Sequence, residues 1–124
     1  MNPQDRLKEA TILIVEDDEI ARIALAKMVR RLCKSVLEAS NGKEGLEMEL
    51  LHRPDIVLTD LEMPVMSGME LVERLKERDA QRPVVVVTAF ADEAHQTPRA
   101  DRILTKPIER SVLHEALYEM ASKL

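Results

Sequence analysis

The chain has 124 residues, a single-domain length that can build one packed core but not two. Hydrophobic residues make up 45% and charged residues 33%, with a net charge of −5, which describes a globular protein and counts against nucleic acid as a direct partner. Aromatic residues make up 2%, Phe90 and Tyr118, so the core must be aliphatic and base-stacking platforms are excluded.

The N-terminal MNPQDRLKEA has acids and no apolar run of signal-peptide length. The longest apolar stretch, Val84 to Val87, is far short of a membrane span. The lone Cys33 has nothing to pair with at disulfide or metal spacing and reads as a small, half-buried apolar residue. Together these features predict a cytoplasmic protein, or a soluble piece of a larger one, with no membrane insertion.

A β-branched run at Thr11–Val15 predicts the first strand. A helix starting near Asp18 follows, with Ala21, Leu25, Met28, Val29 and Leu32 on one stripe. Val36–Leu37 gives a weaker strand. Ser40 or Asn41 then caps a helix to about Leu51, which Pro54 prevents from continuing. Asp55–Leu58 is the third strand, and Ser67-Gly68 precedes a helix with Leu71, Val72 and Leu75 inside. Pro83 starts a fourth strand through Val87. Between Thr88 and Lys106 only Asp92–Gln96 is able to form a helix before Pro98 interferes, so the fourth helix is expected to be short or distorted. Ile103–Leu104 is a weak fifth strand. The last helix carries Ile108, Val112, Leu113, Ala116, Leu117 and Met120.

Continuous apolar runs suit strands buried on both faces, and five βα units in a row imply a parallel sheet covered by helices on both sides. Residues 1–124 read as one domain, with roughly 10–122 as its folded core.

In open parallel sheets, ligands bind beyond the carboxyl ends of the strands. There the sequence places Glu16, Asp17 and Asp18 after the first strand, Asp60 after the third, Thr88 after the fourth and Lys106-Pro107 after the fifth. Crowded carboxylates either bind protons or recruit a cation, and Mg²⁺ suits oxygen ligands and keeps waters that a phosphate can replace. Asp60 could then be a nucleophile forming an acyl phosphate, with Thr88 on a phosphoryl oxygen and Lys106 on another or on Asp60 itself. Asp18 reads as a helix-start charge and not as a ligand.

These residues also carry a resemblance. ILIVEDD at 12–18, IVLTDLEMPVMSGMEL at 56–71, VVVVTA at 84–89 and LTKPI at 104–108 resemble the response-regulator receiver domain of two-component signalling. The resemblance implies a flavodoxin-like (βα)5 three-layer sandwich with strand order 2-1-3-4-5. It also implies phosphorylation by a partner histidine kinase or histidine phosphotransfer protein, and a switch in the binding of a downstream partner. Carried over by position, Asp60 is the phosphoacceptor, Glu16 and Asp17 hold Mg²⁺ with Asp60, and the Glu62 backbone carbonyl is a further metal ligand. Thr88 and Lys106 match the switching hydroxyl and the lysine of the family, and Lys106-Pro107 matches a peptide that is typically cis. The domain would catalyse only its own phosphorylation and dephosphorylation.

Two departures from the family pattern stand out: a shortened Thr88–Lys106 segment, and Ile103 where an aromatic is common. Phe90, with Glu62 opposite, is expected to limit the water that hydrolyses an acyl phosphate. Met63, Met66 and Met69 read as packing residues, and His52, His95 and His114 are too scattered for catalysis. An unphosphorylated pseudo-receiver is disfavoured by the intact acidic, hydroxyl and amine set. A haloacid-dehalogenase-type phosphatase would need an early D-x-D motif. A Toprim-like nucleic-acid enzyme fits neither the acidity nor the M-P-x-M-x-G block.

Overall fold

The apolar runs form five strands, β1 (Thr11–Val15), β2 (Ser35–Ala39), β3 (Ile56–Asp60), β4 (Val84–Thr88) and β5 (Arg102–Thr105). All pair in parallel, in the order β2-β1-β3-β4-β5. The computed structural model describes residues 1–90 and 97–124; the short helix expected over 92–96 lies outside the described residues.

The helices are α1 (Pro3–Lys8), α2 (Glu19–Val29), α3 (Gly42–His52), α4 (Gly68–Arg78) and α5 (Arg110–Ala121). Alternation along each strand divides the core between the two faces of the sheet. Ile12, Ile14, Ile56, Leu58, Val85 and Val87 pack with α2, α5 and Leu7 of α1. Leu13, Val15, Val57, Val84 and Val86 pack with Leu71, Val72 and Leu75 of α4 and with Leu46 and Met48 of α3. β3 and β4 are buried at every position, which is why they read as unbroken apolar runs. The result is the flavodoxin-like three-layer sandwich that the sequence implies.

Helix starts follow the expected chemistry. Asp18, Asn41 and Ser67 each accept a hydrogen bond from a backbone amide three residues on, at 2.8, 2.8 and 3.2 Å. Val112 departs from the expected inner stripe of α5 and is 38% exposed, and Ile108 precedes that helix. Helix α1 has no counterpart in the sequence reading. Asn2 caps it, Pro3 occupies its first turn, and its one buried residue, Leu7, packs into the α5 cluster.

Charged side chains are buried at the end of the sheet where β4 begins. Glu49 of α3, fully buried, accepts hydrogen bonds from Arg78 and from Arg82 (2.8 Å). Lys76 donates to Asp101 Oδ2 and to the Arg82 carbonyl, both at 2.7 Å, and to the Ala80 carbonyl at 3.3 Å. The Val84 amide also donates to Asp101 Oδ2, at 2.8 Å. Burial alone would raise the Asp101 carboxyl, but Lys76 and the Val84 amide outweigh it and hold the group below its ordinary value.

Candidate functional site

The opposite end of the sheet gathers the polar residues that the sequence places there. Asp60 is the last residue of β3 and is 4% exposed, at the end of a strand with no exposed position. Glu16 follows β1 and is 1% exposed, while its neighbour Asp17 is exposed. Carboxylate oxygens of Glu16, Asp17 and Asp60 all lie within 4.8 Å of one another. Asp18 caps α2 and so is taken up by helix structure, as expected.

Lys106 reaches this cluster from the loop after β5. Its Nζ is 3.1 Å from Asp60 Oδ1 and 3.4 Å from Glu16 Oε1. The contact with Asp60 is an ion pair, and beyond it the buried Oδ1 has no hydrogen-bond partner among the described residues. The Lys106–Pro107 peptide is cis, the form the resemblance implies.

Electrostatics follow from this crowding. Burial first, and then the neighbouring Asp60 carboxylate, push Glu16 up to about 7. Burial also raises Asp60, more than Lys106 and Glu16 lower it. Burial opposes the charge on Lys106, but Asp60 and Glu16 outweigh it and raise that amine.

Thr88 ends β4 and is fully buried. Its hydroxyl donates to Glu62 Oε1 at 2.8 Å and accepts the Phe90 amide at 3.1 Å. The Ala89 amide also donates to Glu62 Oε1, at 3.2 Å. Burial would raise Glu62, but the bonds from Thr88, its own backbone and Ala89 hold it below the ordinary carboxylate value. The Glu62 side chain thus enters the site through Thr88, a partnership missed by the sequence reading, which assigned its carbonyl to the metal and set the residue opposite Phe90. The available signal was an acid two residues past Asp60 in a loop otherwise rich in Met, Pro and Val. Phe90 is 58% exposed.

Packing explains the block that follows Asp60. A Cβ on Gly68 would lie 2.3 Å from the Asp60 carbonyl oxygen and 2.6 Å from Leu61 Cα, so the first residue of α4 must be glycine. The Gly68 amide donates back to the Leu61 carbonyl at 2.9 Å. Met66 lies against Gly42 at the start of α3, where a Cβ would meet its side chain at 2.9 Å. Val65, at the loop tip, is 78% exposed and has φ of 70°, a strained value for a β-branched residue. Ile103 is half-buried and packs against the α3/α4 side of the core.

The donor set fits a hard divalent cation: three clustered carboxylate oxygens, one buried oxygen with no hydrogen bond, and no sulfur or imidazole among them. No helix among the described residues is long and apolar enough to cross a membrane.

Residues 12–118 match the family model of the response regulator receiver domain. The chain is 44% identical over 112 residues to a positive alginate biosynthesis regulatory protein of Pseudomonas aeruginosa, covering 86% of this chain and 45% of that protein. It thus spans less than half of that relative's length. It is 33% identical over 104 residues to the polar-differentiation response regulator DivK of Brucella anthropi, covering 79% of this chain and 85% of that protein. Among solved structures, the response regulator TrrA of Thermotoga maritima, in complex with Mg²⁺ and BeF, superposes with a TM-score of 0.85. At 24% identity, with 90% of this chain and 98% of that one covered, it is a likeness of fold. From the sheet order, the acidic rim and these matches together, the chain belongs to the response-regulator receiver family of two-component signalling.

Proposed function

We propose that this receiver domain takes a phosphoryl group on Asp60 from a histidine kinase or histidine phosphotransfer protein, in the cytoplasm, and thereby changes its affinity for a downstream partner. The observation that carries the reading is the state of Asp60. It is a nearly buried acid at the mouth of a fully buried strand, with one oxygen that meets only Lys106, at 3.1 Å, among the described residues, and with two further acids alongside. An acid so placed is costly unless the site has a use for it.

In the proposed step an Asp60 carboxylate oxygen attacks the phosphorus, forming a P–O bond as the P–N bond to the partner's histidine breaks. Glu16, Asp17 and Asp60, with the Glu62 backbone carbonyl, would hold Mg²⁺, which neutralises the charge of the incoming phosphoryl group. Lys106 stabilises the negative charge that Asp60 and its phosphoryl oxygens carry. Thr88 supplies a hydroxyl proton to a phosphoryl oxygen, and its movement biases the two-state surface around β4 and β5. Ile103, beside Val86 in the register of those strands, would follow that movement with a smaller side chain than the aromatic common in the family.

Incubation with a small-molecule phosphodonor and Mg²⁺, followed by intact mass measurement, tests the reading. One added phosphoryl group is expected on the wild type and none on Asp60→Asn. An unmodified wild type, or an undiminished adduct on Asp60→Asn, overturns it.

A further inference from the structure

The Thr88 hydroxyl has one proton to give. Two acceptors lie within reach: the Glu62 carboxylate at 2.8 Å and the Phe90 carbonyl at 3.3 Å. Distance and charge both favour Glu62. The same oxygen of Glu62 takes the Ala89 amide, so one carboxylate oxygen gathers two adjacent donors at the end of β4. Its other oxygen, Oε2, is shielded from solvent and has no hydrogen-bond partner among the described residues. A half-buried carboxylate with one shielded oxygen is held in this place by the Thr88 and Ala89 contacts.

An anionic phosphoryl oxygen has the same requirement as this carboxylate oxygen. It is negative, accepts two or more hydrogen bonds and favours short contacts to O–H and N–H donors. We propose that the Glu62 carboxylate is an internal competitor of the phosphoryl group, occupying the Thr88 hydroxyl and the Ala89 amide while Asp60 is unmodified. This rests on the reading of Asp60 as phosphoacceptor. The phosphorylated state forms only as Glu62 releases Thr88, so Glu62 sets how far phosphorylation drives the switch. Glu62 is a positioning residue: it acts through Thr88 and not on the phosphorus. Release is open to it, since it stands on the loop before Val65, whose tip faces solvent. The device belongs to this chain's choice of glutamate at this position, because a shorter side chain would leave the threonine free and an uncharged one of equal length would hold it more weakly.

The test is the affinity for beryllofluoride with Mg²⁺, a stable mimic of the phosphoryl group. A hydrogen bond to a charged partner corresponds to about a tenfold or larger factor in an equilibrium. Glu62→Ala is therefore expected to bind the mimic about tenfold more tightly than wild type, with Glu62→Gln in between. Simple charge repulsion would also strengthen binding, so the decisive arm is the same change made with Thr88→Val. There the gain should shrink to what the Ala89 amide and the loss of charge contribute alone, because no hydroxyl remains to be freed. An equal gain in both backgrounds overturns the proposal, and so does no gain in either. A metal-free readout stands beside it: the Ala89 amide proton resonance should move upfield in Glu62→Ala and return part of the way in Glu62→Gln. An unmoved resonance overturns the latch. If neither wild type nor any Glu62 variant takes up the mimic, the phosphoacceptor reading itself falls, even where the Ala89 resonance shifts as expected.

Discussion

Buried charges occur at both ends of the sheet, and the two ends treat them oppositely. Where β4 begins, Glu49 is met by Arg78 and Arg82, and the Lys76 ammonium by Asp101 and two carbonyls. Where β3 and β4 end, Asp60 Oδ1 and Glu62 Oε2 are shielded from solvent without hydrogen bonds among the described residues, and three acids crowd within 4.8 Å. The first arrangement lowers the carboxyl of Asp101, and the second raises those of Glu16 and Asp60. Charge that holds a fold together is saturated with partners. Charge in the candidate site is left short of them.

The sharpest way to break the contrast is to unpair the saturated end. Glu49→Ala leaves Arg82, 7% exposed, without its main partner. Removal of one member of a buried ion pair costs about 3–5 kcal/mol, and a drop in Tm of roughly 10 °C or more is expected by calorimetry. An unchanged Tm would place this network with the surface pairs that contribute little.

A smaller effect is expected at Asp101. Asp101→Asn keeps the shape but removes the charge that faces Lys76, and should cost about 1–3 kcal/mol at neutral pH. Because the folded protein depresses this carboxyl, the stability it contributes is present above its unfolded value. It is lost as pH falls through the folded one. Wild type and Asp101→Asn should therefore converge in stability as the pH is lowered below about 4.

The candidate-site end should show the reverse sign. Glu16 binds its proton more tightly folded than unfolded, so metal-free protein loses stability as pH rises from about 4.5 toward about 7. Glu16→Gln should remove that loss and make metal-free protein more stable at pH 8 by about 1–2 kcal/mol, with a smaller difference at pH 5. Urea unfolding at the two pH values measures it. A Glu16→Gln protein less stable than wild type at pH 8 would show that Lys106 already satisfies the site.

Legibility in the sequence differed between the two ends for a physical reason. The rim residues Glu16, Asp60, Thr88 and Lys106 each follow an apolar run, so strand direction alone collects them. The saturated network joins Glu49 to Arg78 and Arg82 and Lys76 to Asp101, across separations of 29, 33 and 25 residues. No local period or motif marks such pairs. Helices α2 to α5 were legible from stripes and caps, whereas α1 offers six residues and a single buried Leu7, too few to show a period. Gly68 appeared in the sequence as part of a family pattern, and only the 2.3 Å approach to the Asp60 carbonyl explains why no side chain fits.

Helix α1 has one more consequence. It lies along α5, and the Arg6 guanidinium donates to the Met1 carbonyl at 3.3 Å and to the Leu124 carbonyl at 2.5 Å, which brings residues 1 and 124 to one corner of the domain. A few glycines would bridge them. The domain is thus suited to circular permutation, or to insertion into a surface loop of a host protein, where adjacent ends strain neither partner. If phosphorylation moves β4 and β5 as proposed, a host carrying a fluorophore would report it.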